Sequence, residues 1–178
     1  MSSEAATALS LDQLVALSSP IRVAIFGAFR LLGPQSVKVL AGYLHTKPDS
    51  LYYHLRILES VALVEVQEVR AAGKRKEAVY RLTSRHFVIS SLEGNPAYGE
   101  AVLGLVEASA AYGLGAFRQA ALERENAPEP EFHLVHGRLR SDSLARWKQD
   151  LEKTMQAGFR DEGEDGIPVM ACAMIVPV

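Results

Sequence analysis

Between Val37 and Thr83 the chain sets out, in order, a short apolar-periodic segment, a turn, a second helical segment with a polar outer face, and two strand-like runs around a basic turn. Pro48 suits the first position of the second segment, where its missing N–H leaves no bond unmade, and residues 49–58 continue the helix. Leu51, Leu55 and Leu58 recur on one face, which buries them against the preceding helices and turns Ser50, Tyr52, Tyr53 and Arg56 away from the core. A face of that chemistry can enter a DNA major groove. Ahead of it, Val37, Leu40, Ala41 and Leu44 predict a short inward-facing helix from Ser36 to Leu44, bracing the second across a turn at His45 and Thr46. Behind it, Val64, Val66 and Val69 predict a strand over 64–70, and Val79, Tyr80 and Leu82 its partner over 77–83. The connecting Ala71-Ala-Gly-Lys-Arg-Lys76 supplies a glycine turn and three consecutive cations. At that offset Lys74, Arg75 and Lys76 are placed to meet phosphates or an adjacent minor groove, adding affinity more than sequence choice.

Helix, turn, helix, hairpin is the order of a winged helix-turn-helix. The run Leu51-Tyr-Tyr-His-Leu-Arg-Ile-Leu58, then Ala62-Leu63-Val64, then the charged hairpin, resembles the DNA-binding domain of ArsR-type winged-helix transcription regulators over roughly the first half of the chain. The resemblance implies a sequence-specific regulator of double-stranded DNA that acts as a homodimer, with Lys47, Ser50, Tyr52, Tyr53, Arg56, Lys74, Arg75 and Lys76 as the DNA-contact candidates. Three departures carry consequences. His45 stands where the turn often holds Gly, so a positive φ is expected of it. Lys47 stands where Ser or Thr usually caps the recognition helix, which predicts a weaker cap. The family's metal-sensing cysteine pairs are missing; the only cysteine, Cys172, lies in an apolar run and reads as a small buried hydrophobe.

Charge is unevenly spread. Residues 1–90 hold 11 Lys plus Arg against 7 Asp plus Glu, a local +4, and residues 91–178 hold 8 against 14, a local −6, within an overall charge of −2. Phosphate contact depends on the local field, so a basic half joined to an acidic half suits a DNA reader with a separate assembly or sensing region. No run of about 18 or more apolar residues and no signal-peptide pattern is present, which places the expected site of action in the cytoplasm, away from membranes.

Upstream, Ser10 and Gln13 fit a capping box, and Ser19-Pro20 marks a fresh helix start with Ile21, Ile25, Phe29 and Leu32 on one face until Gly33-Pro34 ends it. Gly94-Asn95-Pro96 marks the expected boundary between a DNA-binding domain, 1–96, and a second domain, 97–178. The second domain opens with a long helix to about Arg124, where Tyr98, Val102, Leu105, Ser109, Tyr112 and Ala116 form a seam like that of a coiled coil. Beside it runs a small-residue stripe, Gly104, Ala108, Ala111 and Gly115. Each glycine inside a helix costs about 1 kcal/mol relative to alanine, so another backbone is expected close by, from a second subunit or from this one. Tyr98, Val102, Gly104, Leu105, Ala108, Ala111, Tyr112 and Gly115 are the dimerisation candidates. Pro128 and Pro130 break the helix; a strand over 132–140, a helix from Ser141 or Asp142 to about Phe159 with Leu144, Trp147, Leu151 and Met155 buried, and a strand over 167–176 complete a small β-α-β unit. The fold class is therefore α+β: a mainly helical winged helix-turn-helix, a long helix and a β-α-β tail.

Catalysis finds no support in the residues: no Gly-rich phosphate loop, nucleophile elbow or paired-carboxylate constellation is identifiable, and no cofactor is implied. His133 and His136 fall three apart in a strand and point to opposite faces, so no metal site is assigned. His54, inside the recognition helix, reads as a bridge from that helix to the wing or backbone. Trp147 and Met155 read as core, although the tail leaves room for a small-molecule effector of unidentified class. The alternative function is a winged helix serving as a protein-interaction module beside a small-molecule-binding tail; three adjacent cations on the hairpin argue against it.

Overall fold

Ser10 opens helix α1 (Leu11–Leu17) through the capping box its spacing predicts: the Gln13 N–H donates to Ser10 Oγ over 3.2 Å and the Ser10 N–H to Gln13 Oε1 over 3.0 Å. The computed structural model describes residues 7–72, 75–84, 86–89, 95–122 and 141–158. Helix α2 (Pro20–Leu32) starts at the expected proline, without a side-chain bond from Ser19, and stops at Gly33, whose φ of 68° suits a residue with no Cβ. Then come α3 (Val37–Tyr43), capped by Ser36, and α4 (Pro48–Ser60). Leu14, Ile25, Leu40, Leu51, Leu55 and Leu58 from the four helices are almost wholly buried together with Leu63 and Val64, so the periodic leucines of the sequence do form the core. The nitrogen of the Gln13 carboxamide also serves: Nε2 donates to the Val61 carbonyl, at the end of α4, over 3.0 Å.

Strands β3 (Val64–Ala72) and β4 (Arg75–Leu82) form the hairpin, and a short strand β2 (Gln35–Ser36) pairs with β4 to give a three-stranded sheet of order β2-β4-β3. Both hairpin strands run further than expected, pairing out to Ala72 opposite Arg75. The register slips between Val66 and Glu68, leaving Gln67 as a bulge. That extra residue resolves the uneven spacing of the valines: Val64 and Val66 pair with Leu82 and Tyr80, and Val69 pairs with Ala78, so all three lie on the same face. A further pair, β1 (Thr7–Ala8) beside β5 (Phe87–Val88) in parallel, ties the two ends of the region together.

Helix α5 (Pro96–Leu122) matches the expected long helix, but its inner face is used within the chain. The compact first unit runs to Ala116, beyond the boundary read at residue 96, because Tyr98 and Ala101 belong to its core and Val102 and Leu105 pack against it. The buried Tyr98 hydroxyl donates to the Leu9 carbonyl over 3.1 Å. The backbone that Gly104 lets near is this chain's own: a Cβ there would stand 2.6 Å from Ser18 Oγ. Ala108 is buried as well, whereas Ala111 and Gly115 are exposed and nothing lies within 4 Å of a Cβ at Gly115. Tyr112 lies near Tyr43 of α3; burial first, and that neighbour second, hold its phenol above the ordinary tyrosine value. Apolar residues outnumber the few charged ones on α5 (Glu100, Glu107, Arg118), so its period is legible in the sequence while the identity of what covers it is not.

The second unit, from Phe117, has as its described residues the end of α5 and helix α6 (Ser141–Gly158), which begins where the sequence predicts. Of its expected buried face, Trp147 is 47% exposed, as a large amphipathic ring at one edge of a helix commonly is, and Leu151 is partly buried. The strands expected over 132–140 and 167–176, with His133, His136 and Cys172, and the side chains of Leu144 and Met155, lie outside the described residues.

Candidate nucleic-acid interface

The two helices of the helix-turn-helix end alike. At the end of α3 the His45 N–H donates to the Gly42 carbonyl over 3.3 Å and the Thr46 N–H to Ala41 over 2.9 Å, a Schellman motif with His45 at the expected positive φ, 49°. At the end of α4 the Ala62 N–H donates to Glu59 and the Leu63 N–H to Leu58, each over 2.9 Å, with Ala62 at φ 54°. A left-handed conformation costs a residue with a Cβ about 1–2 kcal/mol. The satisfied carbonyls and the burial of Leu63 beside Leu58 offset it. The first motif fixes how α4 leaves the turn, and the second aims the chain from α4 into the hairpin.

Lys47 occupies the N-cap of α4 without a side-chain bond, as its identity predicts. Ser50 contributes from inside the helix: its hydroxyl donates to the Lys47 carbonyl over 2.8 Å and lies 3.2 Å from Thr46 Oγ1. Ser50 is therefore engaged in closing the first turn of α4 as well as exposed on its surface. Tyr52 is 45% and Tyr53 65% exposed, and Arg56 is exposed one turn further on. Opposite Leu51, Leu55 and Leu58, these side chains form an outer face of two phenols and a guanidinium.

That face has two flanks, and the sequence disclosed neither. On the hairpin side stands Tyr80 of β4, whose phenol is held above its ordinary value by burial, then by Glu59 and Tyr52, with Arg56 acting the other way. Tyr80, partly buried against the core, thus sits between the outer face of α4 and the hairpin; its alternation predicted a strand residue, and only the packing shows its neighbours. On the α2 side stands Arg22, whose Nε donates to the Ala16 carbonyl. His54 lies on this side, not toward the hairpin: burial first, and Arg22 second, hold its imidazole below the ordinary histidine value. Its ring meets Tyr53 edge-on with centroids 5.3 Å apart, and His54 Nδ1 is buried without a hydrogen-bond partner.

Along the hairpin, Arg70 pairs with Glu68 on the same strand and Arg81 with Glu65 across the ladder, Arg81 Nε donating to Glu65 Oε1 over 2.7 Å. These exposed pairs are worth about 0–1 kcal/mol each to stability, but they lower the net positive charge at the hairpin's base. The tip carries the rest. Arg75 and Lys76, expected in the turn, are the first residues of β4; the strand reaches them because Ala71 and Ala72 can pair opposite. Lys76 is exposed, the Arg75 side chain is outside what the structure describes, and Lys74 lies outside the described residues.

Among the described residues no group of three or more His, Cys, Asp or Glu could hold a metal ion, and no single helix is long and apolar enough to cross a membrane. No curated protein matches the chain. Residues 17–67, which take in α2, α3, the turn at His45, all of α4 and the start of β3, match the family model of a helix-turn-helix domain. The chain therefore contains a helix-turn-helix domain, the reading module of DNA-binding regulators, with the hairpin following directly on it.

Proposed function

We propose that the protein is a homodimeric, sequence-specific DNA-binding transcription regulator of the ArsR type, without that family's cysteine metal site. The observation that carries this reading is the outer face of α4: Tyr52, Tyr53 and Arg56 exposed together, on a helix whose opposite face is locked into the core. In a major groove Arg56 reaches guanine or phosphate, and the phenols reach thymine methyl groups or phosphates. The hairpin then acts as the wing, laying Lys74, Arg75 and Lys76 on the flanking backbone.

Dimerisation is assigned to a different face of α5 from the one the seam suggested, since Tyr98, Val102, Leu105 and Ala108 are already taken up inside the chain. Leu103, Val106, Ala110 and Leu114 share the opposite side at helical spacing, beside the exposed Glu107, Leu103 being 51% and Leu114 70% exposed. Exposed leucines at this spacing are suited to burial against a second helix, and a copy of the same helix supplies one without any further gene product. Two linked reading heads then match half-sites about 10–10.5 bp apart, or a multiple of that. Gel-shift of the chain with the DNA upstream of its own gene, against scrambled duplex and across a salt series, tests the reading. Preferential binding with a steep salt slope is expected; equal, weak binding to both duplexes would turn the assignment toward a protein-interaction module.

A further inference from the structure

Between α1 and α2 the chain bends by 101° at Ser18 and Ser19, and α5 comes closer to that corner than any side chain at Gly104 would allow. A Cβ on Gly104 would stand 2.6 Å from Ser18 Oγ and 3.0 Å from Ser18 Cβ, so either would have to give way. The Ser18 side chain is itself engaged. Its hydroxyl donates to the Leu14 carbonyl over 2.9 Å and lies 3.5 Å from the Ala101 carbonyl, on the turn of α5 that precedes Gly104. Ser18 also ends α1, its N–H donating to the Val15 carbonyl over 3.2 Å, which fixes the backbone of the corner. On the other side of α1 the Tyr98 hydroxyl donates to the Leu9 carbonyl over 3.1 Å. Helix α5 is therefore seated at two places, one before α1 and one after it, and the second is the place where its backbone has no room to spare.

We propose that Ser18 and Gly104 are positioning residues: their contact sets how α5 sits on the reading head, and thereby which half-site separation two linked heads accept. This rests on the DNA-binding and dimer readings above. From the corner, α2 runs straight into the core that it shares with α4, where Ile25, Ala28 and Phe29 belong with Leu51 and Leu55, so the corner and the recognition helix shift as one packed body. On the far side of the contact Leu103, next to Gly104, is 51% exposed on the face assigned to the second subunit. The seat thus lies between the part that reads and the part that assembles. A small shift there is repeated in both subunits by two-fold symmetry, so it alters the separation of the two recognition helices without touching a residue that meets a base.

The test combines Gly104→Ala, Ser18→Gly and the double variant. A selection from randomised duplex on the unaltered chain supplies the half-site, which is then placed in pairs whose separation is stepped one base pair at a time. Gly104→Ala is expected to lower the preference for the best separation by about fivefold or more, the low end of what overpacking a tight contact costs, while affinity for a single half-site and base preference within it stay as they were. Ser18→Gly removes both atoms that the new Cβ meets, and in the double variant the original separation should again be preferred. An unchanged separation preference in a folded Gly104→Ala variant, a preference that Ser18→Gly fails to restore, or an equal loss on single half-sites would each overturn the proposal. Thermal unfolding without DNA checks the contact by itself: Gly104→Ala should lower the melting temperature more, or raise it less, beside Ser18 than together with Ser18→Gly. Should that coupling be present while the unaltered chain prefers no duplex, the DNA reading fails and this role with it. Should the chain read a half-site but be indifferent to separation, the dimer reading and this role fall together. Should the coupling be absent, the seat itself is wrong and the DNA reading stands.

Discussion

Helices α4 and α5 both leave large side chains on their outer faces, and the chemistry of those faces differs. On α4 the outer residues are phenols and a guanidinium, groups that combine an apolar body with a polar tip and tolerate water until a groove of DNA replaces it. On α5 the outer face carries Leu103, Ala110 and Leu114 together with the exposed Glu107, so an apolar strip there runs beside a carboxylate. The inner faces, by contrast, are the same kind of leucine-rich or small-residue packing. Under the proposed function, what would distinguish a reading helix from an assembly helix is the side that the core does not use, and the comparison can be broken at either end.

The largest effect is expected from Leu103→Glu together with Leu114→Glu. Placing carboxylates on the outer face of α5 should convert dimer to monomer in sedimentation and lower DNA affinity by about 10²-fold or more, since the second reading head loses its effective concentration. A variant that remains dimeric would show that the outer face of α5 is covered by something else. Ala108→Leu, by comparison, is expected to harm the fold of the first unit, because its site is already filled from within.

Next comes the hairpin tip. Replacing Lys74, Arg75 and Lys76 by Ala should weaken binding to every duplex alike and reduce the slope of log K against log salt by about 0.9 for each phosphate no longer neutralised. An unchanged slope means that the tip does not touch DNA. Smaller and more selective, Arg56→Ala or Tyr53→Ala should relax preference at particular base positions by about 1–3 kcal/mol each, leaving other positions as they were. Footprints and preferences identical to those of the unaltered chain would remove α4 from the comparison. Least of all, Ala62→Gly should raise stability by about 1 kcal/mol, read as a higher melting temperature, while leaving DNA preference untouched. A loss of stability there would mean that the Cβ is packed to advantage.

The elements with a strong period were legible: the leucines of α4, the inward residues of α2 and α3 and the capping box at Ser10 all sit where spacing puts them. His45 could be read too, because a turn in that position needs a left-handed residue. The strands β1, β2 and β5 could not, since each is 2 residues long and a pair of residues carries no alternation. Arg22 and Tyr80 were invisible as site residues for another reason. Their roles come from contacts between segments far apart in the chain, and a lone arginine in an apolar-periodic helix or a tyrosine in a strand gives no local sign of what it will face.

The Gln13 side chain has a consequence for how the protein opens. One carboxamide holds the first turn of α1 through its oxygen and the carbonyl of Val61, the residue that caps α4, through its nitrogen. A single such bond contributes about 0.5–1.5 kcal/mol, so the start of α1 and the end of α4 are expected to open together. The amides of both segments should then exchange with solvent at a shared opening free energy. Helix α4 is thus held at its far end by a residue 48 positions earlier in the chain, through one bond whose partners share no other local element.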